Sequence, residues 1–219
     1  MTDIGLPNRI ESLSFGGSGV TIYRFVNGKD RDMLSESTSG DGNISDNASG
    51  LDIEIENDGD DARLSGSGFR SPLSYYNSYT FHINELGGGS FGEQKAWLGQ
   101  GRRPDLGNFT GISLHNQEMI LDGVESTHTV DLGDFSWSGS SNRYGRFSCL
   151  CDGDRTIMQF YYPISNGDWV QKTETIDDIP SHDGHGGSTG TYVYMEGGED
   201  EKPVRLRVFN MSLGLGDVL

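Results

Sequence analysis

The sequence predicts an all-β protein built as a single jelly-roll β-sandwich of two antiparallel sheets, and three observations lead to that prediction. Residues 144–176 consist of short alternating segments separated by glycine turns. Gly supplies 33 of the 219 residues, about twice the average share of roughly 7% in globular proteins. No segment carries three turns of helical periodicity. Short strands joined by turns therefore account for the chain better than helices do.

The strands within residues 144–176 are the clearest in the chain. Apolar Phe147, Cys149 and Cys151 recur at every second position, as they do in a strand with one buried face. Cysteines two positions apart share that face and are too constrained for an ordinary disulfide, which predicts two free, buried thiols. The later features are an Asp-Gly-Asp turn at 152–154, an aromatic and β-branched strand at 156–162, an Asn-Gly turn at 166–167 and an alternating strand at 169–176.

Other segments fit strands of similar length. Residues 51–57 form the cleanest amphipathic pattern, with Leu51, Ile53 and Ile55 on one face and acids on the other. Residues 27–50 show almost no hydrophobic periodicity and are predicted to be a long polar loop. No boundary between two cores is visible, so residues 1–219 are expected to form one domain. Further strands are predicted at 10–15, 20–26, 79–84, 94–99, 192–195 and 204–213, with a hairpin at 111–121.

The chain is strongly acidic. Sixteen basic and 33 acidic residues give a formal net charge of −17, with a pI near 4.4. A chain without a basic patch is not expected to bind nucleic acid. Only four lysines accompany the abundant Asp, which is typical of proteins from extreme halophiles, where salt screens the self-repulsion of an acidic surface. An acidic protein from a mesophile is the alternative.

The N-terminal residues indicate where the protein folds. Residues 1–13 lack the basic and apolar regions of a signal peptide, and no apolar run reaches membrane-spanning length. The protein is therefore expected to fold in the cytosol and not to insert into a membrane. A removed leader, and hence secretion, stays open as an alternative.

The closing segments resemble those of a known superfamily. They are, in order, YGRFSCLCDGDRTIMQFYY, NGDWVQKTETI, a glycine-rich loop, TYVYMEGG and VRLRVFNMSL. This succession is similar to the last strands of concanavalin A-like (laminin G-like) lectin and glucanase domains. The resemblance implies a sandwich whose final strand returns to pair with the N-terminal one. The superfamily includes sugar-binding modules, glycoside hydrolases, polysaccharide lyases and viral appendage domains, so the fold alone does not decide the function.

Asp52, Glu54 and Glu56 are the candidate catalytic residues. Their placement on one strand face is similar to the Glu-x-Asp-x-Glu arrangement of laminarinase-type retaining glycosidases, which need two carboxyl groups about 5 Å apart. The chain departs from that order, with Asp first and Glu in the middle, and no Trp or Tyr shares the strand to stack on a sugar. The alternative, which the sequence favours, is the solvated polar face of an amphipathic strand.

Five aromatic residues near predicted turns are the candidate ligand-binding residues. Flat rings stack on the apolar faces of sugars, while Asn, Asp and His at loop tips bind the hydroxyl groups. For any one ring, ordinary core packing is the alternative. The five are Tyr75, Tyr76, Trp97, Trp137 and Trp169.

No metal or cofactor is expected. Two clusters offer metal-ligating side chains, but one lacks the later Glu and the fixed Gly of a calcium loop, and the other lies in a glycine-rich loop where histidines are commonly just exposed. The clusters are Asp41, Asn43 and Asp46, and His182, Asp183 and His185.

The expected function is a non-enzymatic carbohydrate-binding or surface-interaction module whose partner is a glycan or cell-surface polysaccharide. An extracellular type of sandwich without leader, disulfide or anchor is typical of a virion appendage or decoration protein, which folds in the host cytoplasm and contacts other virion proteins. A glycoside hydrolase or polysaccharide lyase of the same fold and a purely structural virion protein are the alternatives. Apolar Leu215, Val218 and Leu219 at the tail predict docking on a neighbouring copy, and hence a homo-oligomer.

Overall fold

The computed structural model of the protein describes residues 20–66, 75–101, 108–133, 135–137, 143–164, 168–181 and 190–215. These residues form fifteen β-strands and three single turns of 3-10 helix. None of the described helices is long and apolar enough to cross a membrane. The helical turns are Val26–Gly28, Arg31–Met33 and Gly87–Gly89. The strands are β1 (Val20–Arg24), β2 (Ser35–Ser39), β3 (Asn43–Asn47), β4 (Gly50–Ile55), β5 (Asp61–Ser65), β6 (Tyr75–Leu86), β7 (Lys95–Gly101), β8 (Phe109–Ser113), β9 (Glu118–Asp122), β10 (Thr127–Asp131), β11 (Tyr144–Cys151), β12 (Thr156–Pro163), β13 (Trp169–Ile176), β14 (Gly190–Glu196) and β15 (Val204–Leu215).

The strands pair antiparallel in two sheets, which confirms the predicted concanavalin A-like sandwich. The eight-stranded sheet has the order β13-β12-β11-β6-β15-β4-β3, with β1 paired to β15 as well. The seven-stranded sheet has the order β10-β9-β8-β7-β14-β5-β2. β1 pairs with β15 from Val20 opposite Gly214 to Arg24 opposite Asn210, so the predicted return of the C-terminal strand to the N-terminal one is confirmed. The predicted strand at 10–15 lies outside the described residues.

The core lies between the sheets and is filled from alternate positions of the strands. Phe147, Cys149 and Cys151 of β11 are all buried there, and both cysteines are free thiols, as predicted. Buried Leu98 of β7 and Val193 of β14 contribute from the opposite sheet. Each such side chain stabilises the sandwich by removing apolar surface from water, at roughly 25 cal/mol per Å².

The prediction of a long polar loop at 27–50 is wrong. This segment contains β2 and β3, which lie at the edges of the seven-stranded and eight-stranded sheets. Every side chain of β2 is exposed, and β3 buries only Ile44, so neither strand has the apolar alternation that marks a strand in a sequence. Arg31 joins both strands, because its guanidinium contacts Glu36 at 2.6 Å and Asp46 at 2.9 Å.

β15 holds the eight-stranded sheet together. It pairs with β6 along one side and with β4 and then β1 along the other. A bulge between Val208 and Asn210 leaves Phe209 as an extra residue in the ladder. The bulge puts the half-buried Phe209 ring on the outer face of the sheet, where it stacks on Tyr144.

Asp178, which follows β13, locks the turn between β9 and β10. Its carboxylate accepts hydrogen bonds from the backbone N–H groups of Val124, Glu125 and Ser126 at 3.1–3.3 Å. His128 of β10 lies 3.0 Å away through Nε2. Burial raises the pKa of Asp178, but the hydrogen bonds from His128 and from the turn outweigh it and hold that pKa below its usual value.

Candidate functional site

The predicted catalytic carboxylates lie on the outer face of the eight-stranded sheet. The apolar residues of β4 point into the core, while Asp52 and Glu54 point outward, as the alternation predicted. Glu56 follows the end of β4 and is exposed. The three acids therefore share a face but differ in their surroundings.

Asp52 is bound in a cross-strand ion pair. It is only 7% exposed, and its two carboxylate oxygens lie 2.6 Å and 2.8 Å from Nε and Nη2 of Arg207 on β15. Asn47 donates a further hydrogen bond at 3.3 Å. Asp52 is therefore neither a solvated surface acid nor a carboxylate free to approach a substrate.

Glu54 and Glu56 line a cleft at the end of β4. The cleft has a volume of about 360 Å³ and is also lined by Asp41 and Glu85. Glu54 is paired with Arg205 of β15, whose Nη2 lies 3.6 Å from Glu85. Asp52 and Glu54 thus contact arginines of the neighbouring strand, and a catalytic role for the three acids stays a prediction.

Trp97 lies on the outer face of the seven-stranded sheet. It is 6% exposed and forms a second apolar cluster with Phe109 and Tyr194. Its indole stacks on Tyr194 at 5.4 Å and meets His115 edge-on at 4.8 Å. Burial lowers the pKa of His115 to about 4, against a hydrogen bond to the backbone of Ala96 that raises it, so this histidine is neutral at physiological pH.

Trp137 and Tyr76 are buried as well. Trp137 is 4% exposed, meets Phe135 edge-on at 4.4 Å and donates a hydrogen bond of 2.6 Å from Nε1 to the Leu114 carbonyl. Tyr76 is 4% exposed on the outer side of β6. Only the backbone of Tyr75 is described. Burial of Trp137 and Tyr76 agrees with core packing, the alternative role for these rings. Ligand binding by these residues stays a prediction.

Trp169 differs from the other predicted binding residues, because its described side chain is only partly buried. It is the first residue of β13, an edge strand of the eight-stranded sheet, and lies opposite Pro163 of β12. Tyr161 of β12 is also half-buried and faces outward, opposite Arg146 of β11. Neither ring stacks on an aromatic partner among the described residues, which leaves both available to a flat ligand.

Tyr144 of β11 continues this outer face across the sheet. Its ring stacks on His82 of β6, with 3.9 Å between the ring centroids, and lies parallel to Phe209 at 6.3 Å. Burial lowers the pKa of His82, and the charges of Arg207 and Arg143 lower it further, against a hydrogen bond with Asn84 and the charge of Asp52. His82 is therefore held neutral as one layer of an aromatic stack.

We define the outer aromatic face as Trp169, Tyr161, Tyr144, His82 and Arg146. Sequence reasoning found only Trp169 of this set. The signal that marks the members from β11 and β12 is the absence of acid, since these two strands contain no Asp or Glu in a chain with 33. Combined with the period of two, that signal selects Tyr144, Arg146 and Tyr161 as outward positions of acid-free strands.

No group of three or more His, Cys, Asp or Glu side chains within the described ranges is arranged to hold a metal ion. Asn43 and Asp46 lie in β3, where Asp46 contacts Arg31. The second cluster considered from the sequence, His182, Asp183 and His185, lies outside the described residues.

Comparisons with known proteins place the fold. No family model and no curated protein sequence matches the chain. Solved structures match it along most of its length at low sequence identity. Arcelin-5 of Phaseolus vulgaris, a lectin-like defence protein, shares 10% identity, with a TM-score of 0.54 over 89% of this chain and 97% of its own. Peanut lectin shares 11% identity, with a TM-score of 0.54 over 90% and 97%.

An L-type lectin domain gives a similar result. The exoplasmic domain of VIP36, solved with Ca²⁺, shares 12% identity, with a TM-score of 0.50 over 87% of this chain and 88% of its own. The structural neighbours thus include legume lectins and an L-type lectin domain, which agrees with the resemblance in the closing strands. At such identities the agreement establishes the concanavalin A-like fold.

Proposed function

We propose that the protein is a non-enzymatic carbohydrate-binding module that binds a glycan on its outer aromatic face. The observation that carries the proposal is the pair Trp169 and Tyr161, two half-buried rings on adjacent strands with no aromatic partner among the described residues. Rings of this kind stack on the apolar faces of sugars. Gln159, Gln171 and Thr173 face outward beside them and supply the amide and hydroxyl groups that fix sugar hydroxyls.

The fold supports this proposal. One VIP36 structure of the same fold, with a TM-score of 0.50, contains Man3GlcNAc together with Ca²⁺. This fold is thus compatible with glycan binding, and the outer face of a sheet gives an extended polymer a surface to lie on.

The test is binding of soluble polysaccharides by calorimetry with Trp169→Ala and Tyr161→Ala. Each variant is expected to lose up to about tenfold in affinity, because stacking on one aromatic ring contributes roughly 0.5–1.5 kcal/mol. Trp97→Ala, which removes a buried ring from the opposite sheet, is the matched control for loss of an indole. Equal losses in all three folded variants would contradict the proposed location.

A glycoside hydrolase or polysaccharide lyase is the second candidate, favoured by the acidic cleft that Glu54 and Glu56 line. Cleavage of a β-glucan that Glu54→Gln and Glu56→Gln abolish would establish it. Both variants are expected instead to keep the fold and to change no activity, because Glu54 is engaged by Arg205.

We further propose that the module decorates the particle of a virus with a halophilic host, folds in the host cytoplasm and assembles with other virion proteins or with copies of itself. The acidic, lysine-poor composition supports this setting; the lectin structures named above lend it no support. Identification of the chain by mass spectrometry in purified particles would test it, and its absence from them would contradict it.

A further inference from the structure

Arg146 of the outer aromatic face and Arg143, which precedes β11 and whose charge acts on His82, differ from the paired arginines of this acidic protein. Four of the eight described arginines lie beside a carboxylate, and these pairs are Arg31 with Glu36, Arg155 with Asp152, Arg205 with Glu54 and Arg207 with Asp52. Arg146 and Arg143 have no ion pair or hydrogen bond within the described part of the chain, and the Nε atom of each is buried.

Such an arrangement is unfavourable for the free protein. A buried donor without an acceptor costs about 1–3 kcal/mol, and a net charge of −17 makes acids the most available partners. A guanidinium presents five donors in a planar fork that fits a carboxylate or a sulfate. The two arginines therefore have the chemistry of a site that receives its anion from another molecule.

The surroundings of Arg146 favour an anion as well. No acidic side chain points outward from β11, β12 or β13 among the residues that the structure describes. The neighbouring outward row, which starts at Tyr144, runs through His82 and Arg207 to Asp52, an acid that Arg207 neutralises. An approaching anion thus meets unpaired positive charge here, whereas the remaining surface of the molecule is dominated by acids.

The positions match a polymer rather than a single ion. Arg146 lies opposite Tyr161, and Trp169 lies on the next strand, two residues further along. Two inter-strand steps span about 10 Å, a distance that two linked sugar rings cover. A chain lying across the strands places its rings on Tyr161 and Trp169 while a charged substituent reaches Arg146.

We propose that the outer aromatic face binds an anionic polysaccharide, whose carboxylate or sulfate groups contact Arg146 and Arg143 while its sugar rings stack on Tyr161 and Trp169. This inference rests on the proposed glycan-binding function and adds the chemical class of the glycan. Charge complementarity selects this occupant over a neutral glycan.

The test is calorimetric titration of the full chain with alginate, dextran sulfate and neutral dextran at about 0.15 M salt. The wild type is expected to bind the anionic polymers more tightly than dextran. Arg146→Gln is expected to lose about tenfold in affinity for them, because a hydrogen bond to a charged group contributes that much, and to bind dextran unchanged. Arg143→Gln repeats the test at an independent position. Arg155→Gln, the same charge change in the turn after β11, is the control and is expected to have no effect.

The outcomes separate this inference from the proposed function. If Trp169→Ala weakens dextran binding while Arg146→Gln and Arg155→Gln behave alike on alginate and dextran sulfate, glycan binding holds and the anionic class is refuted. If the wild type binds none of the three polymers, both proposals fail. A dimer in light scattering that Arg146→Gln converts to monomer would show that a second copy occupies the face, which also refutes the inference. If alginate binds more tightly than dextran sulfate, the group bound is the carboxylate; if dextran sulfate binds more tightly, it is the sulfate.

Discussion

Buried carboxylates in this protein hold turns in place. Asp60 accepts hydrogen bonds from the backbone N–H groups of Asp41, Glu56 and Asn57 at 2.7–3.0 Å and so joins two turns. Asp178 binds the turn between β9 and β10 in the same way. Each carboxylate satisfies several backbone donors that would otherwise be buried without acceptors. Part of the acidic composition is therefore structural.

Asp178→Asn is expected to destabilise the protein by about 2 kcal/mol, because one amide oxygen replaces two charged acceptors in the middle of several donors. The measurement is the free energy of unfolding in urea at neutral pH. Asp177→Asn, at an exposed neighbour, is the control and is expected to change it by less than about 0.5 kcal/mol. Equal effects of the two changes would contradict the role assigned to Asp178.

The lowered pKa of Asp178 also predicts how the stability of the protein depends on pH. Because the pKa of Asp178 is lowered in the folded state, its contribution is complete above the unfolded pKa of about 4 and is lost as the pH falls through the folded pKa. The melting temperature of Asp178→Asn is therefore expected to fall less than that of the wild type between neutral pH and about pH 3. A parallel fall would contradict the assignment.

For single residues, the sequence predicts correctly which side of the sheet a side chain faces, but it does not predict which distant residue that side chain contacts. The period of two placed Leu51, Ile53 and Asp52 on their correct faces. The partner of Asp52 is Arg207, which is distant in the sequence, so no local pattern identifies it. The contact with Arg207 allows Asp52 to be buried. The expectation that Asp52 is a solvated acid is therefore wrong.

Among the elements, β13 shows how an edge strand is protected. It pairs with β12 and has no second neighbour among the described strands. Lys172 and Glu174 point to the inner side, opposite Phe160 and Met158 of the core. Inward-pointing charges on an edge strand oppose pairing with another chain, because adding a strand there would bury them.

Replacing Lys172 and Glu174 together by Val is expected to promote association, since it removes the inward-pointing charges and makes the inner face of β13 continuously apolar. The measurement is mass by light scattering over a concentration series. Thr173→Val with Thr175→Val adds apolar surface to the opposite face of β13 and is expected to stay at the wild-type mass. Association of both double variants to the same extent would show that the direction of the charges is irrelevant.

The sequence predicts a β-strand where one face of that strand is buried and the other is exposed. The strands of residues 144–176 and β4 were found because they border the core, and their alternation is visible. The sequence does not predict β2 and β3, since β2 is exposed on both faces and β3 buries only Ile44, so neither edge strand carries an apolar alternation. The outer aromatic face was found only at Trp169, because its other members come from separate strands that the pairing of β6, β11 and β12 brings together.

At the scale of the whole molecule, the net charge of −17 is the main source of self-repulsion. Salt screens repulsion between exposed charges over distances beyond about 10 Å at 0.1 M. The melting temperature is therefore expected to rise by about 5 °C or more from dilute buffer to molar KCl, the shift that roughly 2 kcal/mol gives in a domain of this size.

The control for that experiment reduces the charge itself. Asp58, Glu199 and Glu201 are exposed acids in turns, and the triple variant Asp58→Asn, Glu199→Gln, Glu201→Gln is expected to gain less from salt. Equal melting temperatures of the wild type in both buffers would refute the adaptation to high salt that the composition suggests.

The position of β15 within the eight-stranded sheet has a consequence for the order in which the protein folds. β3 and β4 lie on one side of it and β6, β11, β12 and β13 on the other, so the two parts are joined only through this strand. A ribosome delivers β15 after every other described strand. Until it emerges, the nascent chain exposes two incomplete sheet fragments with apolar inner faces. Closure of the sheet therefore waits for this strand, and the long sequence separation of its pairings makes that step slow.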